Sequence, residues 1–169
     1  MQEQVLQSSN MNFRIGFGID IHQLEEGRDL FIGGVKFDSS FGAVGHSDAD
    51  VLLHAICDAI LGAANLRDIG YHFADTDPKY KGIDSRILLA ESFKLVKEKG
   101  YLIGNVDSTV LLENPKVNPH IEEMQAVIAD LLEVDIDAVS IKATRGEKMG
   151  YIGEGKGIQA YCNALIYKA

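Results

Sequence analysis

The sequence is short of positive charge. It has 16 Lys and Arg residues against 25 Asp and Glu residues, which gives a formal net charge of −9. This excess of acidic residues argues against unspecific attraction to nucleic acid or to an anionic membrane surface. A partner that carries phosphate must therefore be bound by local devices, such as metal ions or backbone amides.

The sequence also has few cysteines and no long apolar run. Cys57 and Cys162 lack CxxC or zinc-knuckle spacing, and each lies in an apolar pattern, where a free cysteine acts as a small core residue. No apolar stretch approaches the ~18 residues of a membrane helix, and residues 1–10 do not have the pattern of a signal peptide. We expect a soluble cytoplasmic protein in a reducing compartment, with residues 1–12 as an N-terminal tail or cloning remnant and residues 13–169 as one domain.

Three familiar catalytic motifs are missing. The chain has no GxxxxGK[ST] and no strand-linked GxGxxG, so neither a P-loop nor a Rossmann dinucleotide site is supported. It has no GxSxG either, so nothing supports a serine nucleophile.

Strand and helix patterns interleave along the chain without a regular repeat. Strands are predicted at 13–22, on both sides of the Gly33-Gly34 turn within 28–38, and at 101–112, 138–144 and 157–169. Helices are predicted from about Ser47 to Ala63, at 84–100 and at 117–132, with caps at Ser47 or Asp48, at Asp84 or Ser85, and at Asn118. This order predicts a single α/β (α+β-like) domain, with a mixed β-sheet and helices packed on one face. The long connection at 65–82 is typical of a functional or mobile loop.

A strand and the first helix carry possible metal ligands. Asp20 and His22 are two positions apart in a strand, so both side chains project from the same face. His54 from the helix could complete three ligands and leave a fourth position open, which is the catalytic arrangement for zinc. The alternative is a surface DxH pair beside an unrelated histidine, because DxH is a short motif with many chance matches.

The segment HSDADVLLHAICDAILG places His46, Asp50, His54 and Asp58 four residues apart. Asp50 and Asp58 then flank His54 on one helix face and could orient its imidazole. Alternatively, Asp50 is simply an acid in the first turn of a helix, where it is favourable. His46 precedes the helix and could be a phosphate donor or a neighbour of the cap. KATRGEK (142–148) directly follows a strand and could be a ligand loop or a solvated turn.

Several longer stretches occur together, in an order and at spacings that point to one family: IDIH, HSDADVLLHAICDAILGAANLRDIG, FADTDP, KGIDSR, GYLIGNVD, NPKVNPHI and IKATRGEKMG. From about Phe13 to Tyr167 the chain closely resembles the 2-C-methyl-D-erythritol 2,4-cyclodiphosphate synthase family of the non-mevalonate isoprenoid pathway. The resemblance implies a phosphorus–oxygen lyase that cyclises 4-diphosphocytidyl-2-C-methyl-D-erythritol 2-phosphate and releases CMP. It also implies a homotrimer with shared active sites and with sheets facing the threefold axis.

The resemblance also implies residue roles. Zn²⁺ held by Asp20, His22 and His54 would act as a Lewis acid, and a second divalent cation, Mg²⁺ or Mn²⁺, would be held through Glu147. His46 would help to stabilise the transition state and, with Ser47, contact the methylerythritol phosphate end. The substrate loops would comprise Asp68, Ile69, Gly70, Phe73, Ala74, Asp75, Thr76 and Asp77. The neighbouring subunit would contribute a cytidine pocket with Leu112, Glu113, Asn114, Pro115, Lys116, Val117, Asn118, Ala143 and Thr144, and Gly146 and Tyr151 complete the implied binding set.

The chain departs from the family pattern at three places. KATRGEK stands where the family commonly reads KATTTEK, so Arg145 occupies a threonine position linked to transition-state stabilisation, with Gly146 beside it. An arginine could donate to a phosphate more strongly than a hydroxyl does. Glu154 falls where many members carry an arginine on the trimer axis, near a cavity that can hold an isoprenoid diphosphate, and a carboxylate there should repel that anion. Ala74 replaces a common proline.

Three functions remain to be separated. The first is the cyclising synthase. The second is a trimeric metal- and nucleotide-binding protein without turnover, which the departures at Arg145 and Gly146 motivate. The third is a metal-dependent phosphohydrolase that uses the same ions to activate water. Release of CMP together with a cyclic product would distinguish the first from the other two.

Overall fold

A computed structural model of the chain describes residues 12–74 and 76–168. Its larger sheet has five strands in the spatial order β4-β1-β7-β5-β6, and a separate hairpin pairs β2 with β3. The strands are β1 Phe13–Glu26, β2 Leu30–Ile32, β3 Val35–Phe37, β4 Phe41–Ala43, β5 Leu102–Leu111, β6 Val139–Thr144 and β7 Gly157–Tyr167. The helices are α1 Val51–Ala63, α2 Ile69–His72, α3 Ser85–Glu98, α4 Ile121–Leu132 and α5 Gly150–Gly153.

The last strand of the chain lies at the centre of the sheet. β7 runs antiparallel to β1 on one side and to β5 on the other. β6 then pairs with β5 in parallel, which requires a crossover connection, and α4 lies within that connection. The mixed sheet predicted from the sequence is therefore confirmed.

The inner face of β1 lies directly against the backbone of α1. A Cβ atom at Gly16 would be 2.0 Å from the carbonyl oxygen of Ala59, and one at Gly18 would be 2.0 Å from that of Ala55. No side chain fits at either position, because both obstacles are helix backbone. The two glycines thus allow α1 to pack closely on the strand, and the next inward-facing residue after Gly18 is Asp20.

Helix α1 is buried on almost every side. Ten of its thirteen residues are buried, and it packs between the sheet and α3. A helix that is hydrophobic all round belongs in a core. Its predicted caps at Ser47 and Asp48 are wrong, because Asp50 is the N-cap and accepts from the backbone N–H groups of Leu52 and Leu53 at 3.2 and 3.0 Å.

The buried carboxylate of Asp50 also binds the β2–β3 hairpin. It accepts from the backbone N–H groups of Gly33 at 2.8 Å and Gly34 at 2.6 Å. Burial raises the pKa of Asp50, and these hydrogen bonds act against that rise. Sequence reasoning missed this role because the two glycines precede Asp50 by more than fifteen residues.

The remaining predictions are confirmed in part. Asp84 caps α3, and the hairpin turn falls at Gly33-Gly34 as expected. The predicted cap at Asn118 is wrong, because 118–120 form a 3-10 turn and α4 begins at Ile121 without a side-chain cap. β1 runs four residues beyond the predicted end at 22, and the short elements β4, α2 and α5 were not predicted.

No helix of residues 12–74 or 76–168 packs on the outer face of β1. Its side chains alternate with the inward ones and form an apolar stripe that is exposed in the single chain. Ile15 is 77% exposed and Phe17 58%, which is unusual for such residues in a row. Within the described ranges, no helix is long and apolar enough to cross a bilayer. The outer stripe comprises Phe13, Ile15, Phe17, Ile19 and Ile21.

Candidate functional site

Three potential metal-ligand atoms meet between β1 and α1. Asp20 Oδ2 lies 2.8 Å from His22 Nε2 and 2.9 Å from His54 Nδ1, and the two nitrogens are 3.3 Å apart. Asp20 and His22 follow the glycines on the inner face of β1, and His54 lies in the first turn of α1. Within the described ranges these three residues are the one group of His, Cys, Asp or Glu side chains with metal-binding geometry.

The donor set fits a tetrahedral divalent cation. Bonds of about 2.0 to 2.1 Å in a tetrahedron imply about 3.3 Å between neighbouring donors. The distance between the two nitrogens equals this value, and the two distances to Asp20 Oδ2 are shorter, at 2.8 and 2.9 Å. Two imidazoles and one carboxylate match catalytic zinc sites, in which the fourth position is open. The structure therefore favours the metal-binding interpretation of the DxH motif over that of a chance surface pair.

The electrostatics of the triangle favour positive charge. Burial acts to raise the pKa of Asp20, but hydrogen bonds with His22 and His54 outweigh it and hold that pKa well below its usual range. Burial acts to lower the pKa of His54, but the bond to Asp20 outweighs it and raises that pKa. An ionised carboxylate thus lies between two imidazoles at a point where a cation is stabilised.

Each imidazole is held by its second ring nitrogen. His22 Nδ1 donates to the carbonyl oxygen of Val44 at 2.9 Å, which leaves Nε2 free to bind a metal. His54 Nε2 faces the hydroxyl oxygens of Ser85 at 2.9 Å and Ser47 at 3.2 Å. The site thus presents one nitrogen of each ring to the metal position.

The predicted orienting role of Asp50 and Asp58 toward His54 is wrong. Asp50 points at backbone amides, as described above, and Asp58 accepts from the backbone N–H of Ile69 at 2.8 Å. Helical spacing placed both acids near His54 in sequence, but their partners lie in other elements. Two serines contact His54 from outside the group of Asp20, His22 and His54: Ser85 and Ser47. Sequence reasoning considered Ser85 only as a cap of α3.

A cavity of about 420 Å³ opens beside the metal ligands. His46 and Ser47 line it, together with His22 and His54, and the side chain of His46 is exposed. Sequence reasoning missed four lining residues, because nothing in their local pattern distinguishes them from ordinary loop and core positions. They are Gly45, Tyr80, Ile83 and Leu88. The predicted substrate residues that line this cavity are His46, Ser47, Ile69, Gly70 and Phe73.

Other residues of the predicted substrate loop have structural contacts. Asp68 caps α2 and accepts from Tyr71 N at 2.9 Å. Asp77 caps the 3-10 turn at 78–80 by accepting from the N–H of Lys79. Ala74 and Thr76 lie in the same loop and do not line the cavity, and Asp75 lies outside the described residues.

A second cavity, of about 350 Å³, lies where the parallel strands β5 and β6 end. Among the residues that the structure describes, none lines both cavities. Glu113, Asn114 and Pro115 belong to the loop after β5, with a cis bond between Asn114 and Pro115. The predicted residues that line this second cavity are Leu112, Lys116, Val117, Asn118, Ala143, Thr144 and Arg145.

Glu147 and Tyr151 are also absent from the linings of both cavities. Glu147 is exposed, with a left-handed backbone (φ 51°), and is not part of the three-residue metal group. Tyr151 is in α5, and its hydroxyl donates to Gln159 Oε1 at 2.6 Å.

The whole chain except its ends matches one protein family. Residues 13–167 match the YgbB family. The chain belongs to the YgbB family. A curated relative, the 2-C-methyl-D-erythritol 2,4-cyclodiphosphate synthase of Phocaeicola vulgatus, is 58% identical over 159 residues, which are 94% of this chain and 99% of the relative. The family resemblance drawn from the motifs is thus confirmed.

Solved YgbB structures share this fold. The bifunctional IspDF from Campylobacter jejuni matches with a TM-score of 0.89 and 38% identity, over 93% of this chain and 42% of that one. The CDP complex of IspF from Plasmodium falciparum matches with a TM-score of 0.82 and 37% identity, over 95% of this chain and 99% of that one.

The loop after β6 carries Arg145 and Gly146, two of the residues at which the sequence analysis expected a departure from the family pattern. Arg145 donates from Nε to the carbonyl oxygen of Glu113 at 3.1 Å and from Nη2 to its Oε1 at 3.2 Å. The N–H of Gly146 donates to Glu113 Oε2 at 3.0 Å. A Cβ at Gly146 would lie 2.3 Å from the backbone nitrogen of Gly153, so a threonine would not fit at this position unless the loop moved.

Proposed function

We propose that the protein converts 4-diphosphocytidyl-2-C-methyl-D-erythritol 2-phosphate to 2-C-methyl-D-erythritol 2,4-cyclodiphosphate and CMP. It would act as a cyclising phosphorus–oxygen lyase of the non-mevalonate isoprenoid pathway. Support comes from the names of its YgbB relatives and from the CDP bound in a similar structure. The observation that carries the proposal is the triangle of Asp20, His22 and His54 at the wall of a cavity that His46 and Ser47 also line.

The proposed reaction is an intramolecular displacement. An oxygen of the 2-phosphate forms a bond to the β-phosphorus, and the bond from that phosphorus to the oxygen bridging to CMP breaks. The electron pair of the broken bond leaves with the CMP phosphate. Because both groups belong to one substrate, positioning and charge neutralisation suffice without a protein nucleophile.

The chain's own residues would position the substrate. We propose that His46 and Ser47 donate hydrogen bonds to the methylerythritol phosphate end, where charge builds up in the transition state. Phe73, Ile69 and Gly70 would enclose the methylerythritol part and exclude water. A cation held by Asp20, His22 and His54, which we propose to be Zn²⁺, would supply Lewis-acid stabilisation of phosphate charge.

We propose a second divalent cation, Mg²⁺ or Mn²⁺, held through Glu147. The support is the exposed carboxylate at this position, and carboxylate oxygens with water suit the harder ion. Arg145 would donate to a phosphate of the same substrate, although its guanidinium contacts Glu113 in the single chain.

The second cavity would hold the cytidine of a substrate bound to another copy of the chain. Two facts support a homotrimer with shared sites: the two cavities have no lining residue in common, and the outer face of β1 is apolar and exposed. Backbone N–H and C=O groups along 112–118 and at Ala143 and Thr144 would form hydrogen bonds with the edge of the cytosine base. The sheets would then face the threefold axis, and Glu154 there would disfavour an isoprenoid diphosphate.

We further propose that residues 13–169 form one catalytic domain in the cytoplasm. The continuous five-stranded sheet supports the single domain. The cysteines Cys57 and Cys162 are free and buried, which fits a reducing compartment.

Binding without turnover is the alternative that a specific observation favours. The Arg145 guanidinium is already paired with Glu113, which would reduce its availability to a transition state. A nucleotide-binding trimer would then retain the metal and the cytidine compound but release no CMP. A phosphohydrolase would release CMP together with a linear phosphate product.

The direct test is to incubate the purified protein with the cytidine diphospho substrate and Mg²⁺ and to identify the products by ³¹P NMR. We expect CMP and the cyclic diphosphate. His54→Ala should lower the rate by about a thousandfold or more, because Lewis-acid stabilisation contributes several kcal/mol. The matched control is His120→Ala, since His120 packs on Phe37, lines neither cavity and should leave the rate unchanged. A linear product, no product, or full activity in a zinc-free His54→Ala variant would contradict the proposal.

A further inference from the structure

The imidazole of His54 makes different contacts through its two nitrogens. Nδ1 belongs to the metal triangle, whereas Nε2 faces two serine hydroxyls. Ser85 Oγ lies 2.9 Å from Nε2, and Ser47 Oγ lies 3.2 Å from it. A neutral imidazole carries one proton on one nitrogen, so these contacts decide which nitrogen is free to bind a metal.

Ser85 can act toward His54 only as an acceptor. Its hydroxyl donates to Asp48 Oδ1, and its backbone N–H donates to Asp48 Oδ2 at 3.0 Å. A hydroxyl has a single proton, and here the carboxylate takes it. The proton between Ser85 and His54 must therefore belong to Nε2, which leaves the Nδ1 lone pair for the metal.

Ser47 is in a different situation. Its oxygen accepts from the N–H of Ala49 at 3.0 Å, and the residue lines the cavity beside His46. Because Nε2 of His54 already carries a proton, it cannot accept one from Ser47. The hydroxyl proton of Ser47 is thus available to a molecule in the cavity, while Ser85 is fully buried.

We infer that Ser85 and Asp48 are positioning residues that hold His54 with Nε2 protonated and Nδ1 directed at the metal, whereas Ser47 serves the substrate. The inference rests on the proposed function, since it assumes that the triangle of Asp20, His22 and His54 binds a divalent cation. A carboxylate that acts on a metal-bound imidazole through a hydrogen bond increases the donor strength of the imidazole. In this chain the carboxylate of Asp48 would act through one intervening hydroxyl.

Two further backbone hydrogen bonds join the site to the segment that precedes α3. The N–H of Asp48 donates to the carbonyl oxygen of Ile83 at 3.1 Å, and the N–H of Gly82 donates to that of His46 at 2.7 Å. The segments 46–48 and 82–85 therefore form one wall, which carries both the cavity residues and the partner of His54. A shift of the loop at 65–82 would therefore alter the hydrogen bonds that hold His54.

The test compares metal binding and the Nε2 proton in four variants of the full chain. Zn²⁺ affinity is measured by competition with a chelator, and His54 is observed by ¹⁵N NMR in the zinc-loaded protein. Ser85→Ala should bind Zn²⁺ about 10 to 100 times more weakly and lose the slowly exchanging Nε2 proton. Ser85→Thr keeps the hydroxyl and should restore both properties.

Two matched controls separate this role from general damage. Ser47→Ala removes the other hydroxyl near Nε2 and should leave Zn²⁺ affinity and the slow proton unchanged. Asp84→Ala removes the cap of α3 next to Ser85, where Asp84 accepts from Arg86 N at 2.9 Å, and should lower stability without changing Zn²⁺ affinity.

The possible outcomes are distinct. If the unmodified protein binds no Zn²⁺, the metal site of the proposed function fails, and this inference fails with it. If it binds Zn²⁺ but Ser85→Ala binds equally well, or if Asp84→Ala weakens binding as much, the inference alone is wrong. If Ser85→Ala does not fold, the unmodified protein decides: ligation of His54 through Nε2 contradicts the inference, and ligation through Nδ1 with a slow Nε2 proton supports it.

Discussion

The two faces of β1 carry opposite kinds of residue. The inner face has Gly16, Gly18, Asp20 and His22, which lie against α1 and lead into the metal triangle. The outer face is apolar and exposed along the same stretch, with Phe13, Ile15, Phe17, Ile19 and Ile21. One strand with a two-residue period therefore carries the chemical site on one side and a surface suited to association on the other.

The comparison shows that polarity alone does not reveal which face is internal. Small residues occupy the inner face because a helix backbone lies against it, and large apolar residues occupy the face without a helix. In a monomeric protein the large residues would normally face the core. The reversal is explained if other copies of the chain cover the outer face, as we propose.

The largest effect is expected from filling the space between β1 and α1. Gly18→Ala would place a Cβ 2.0 Å from the carbonyl oxygen of Ala55, so strand and helix must separate. We expect a loss of about 3 kcal/mol or more in the free energy of unfolding, measured by urea denaturation. The matched control is Gly62→Ala in α1, where nothing lies within 4 Å, and it should be neutral or slightly stabilising. Equal midpoints for the two variants would refute close packing at this face.

A smaller effect is expected from charging the outer face. Phe17→Asp should convert the proposed trimer to monomer in analytical ultracentrifugation, because each copy in that trimer would bury a carboxylate, which costs several kcal/mol unless it is paired. The inner face is untouched, so Zn²⁺ binding should persist while turnover is lost. Ile87→Asp is the control, since Ile87 is exposed on α3, away from the sheet. A trimeric Phe17→Asp protein would show that the outer face is not the interface.

The smallest effect is expected in the pH dependence of unfolding, through the buried thiols of Cys57 and Cys162. Burial raises the pKa of Cys162 to about 12 and raises that of Cys57 as well, from an ordinary value of 9.0. Below pH 9 both thiols are protonated in the folded and in the unfolded state, so they do not make the free energy of unfolding depend on pH. Above pH 9 the unfolded chain releases the thiol protons while the folded chain does not. The free energy of unfolding should therefore fall by about 1.4 kcal/mol per thiol and pH unit, up to the folded pKa.

Urea denaturation at pH 8, 9 and 10 would measure that slope. The double variant Cys57→Ala, Cys162→Ala serves as the reference, because every other titrating group is retained. The unmodified protein should lose stability more steeply than the variant above pH 9. Parallel slopes would mean that water reaches the thiols in the folded state.

Local sequence patterns predicted several elements of the fold. The alternation in β1, the Gly33-Gly34 turn and the cap at Asp84 follow from short-range chemistry, so the sequence could reveal them. The pairing of Asp20 and His22 with His54 needed the family resemblance, because DxH by itself has many chance matches. Their observed convergence agrees with that interpretation.

Long-range partners account for what sequence reasoning missed. Ser47, Asp48 and Asp50 are all good caps, and the choice among them depends on distant groups. Asp50 is the cap and also accepts hydrogen bonds from Gly33 and Gly34. Asp48 accepts a hydrogen bond from Ser85, which is 37 residues away in the sequence. No local pattern contains those distances, and none indicates that Glu113 would pair with Arg145.

The buried carboxylate of Asp50 makes two distant pieces of the chain inseparable. It gathers amides from the hairpin turn and from the first turn of α1, where it is fully buried. If the β2–β3 hairpin moved away from α1, the buried carboxylate would lose two of its four backbone N–H donors. Opening of the hairpin alone is therefore costly in free energy. A surface turn thereby becomes part of the same cooperative folding unit as the helix that carries His54.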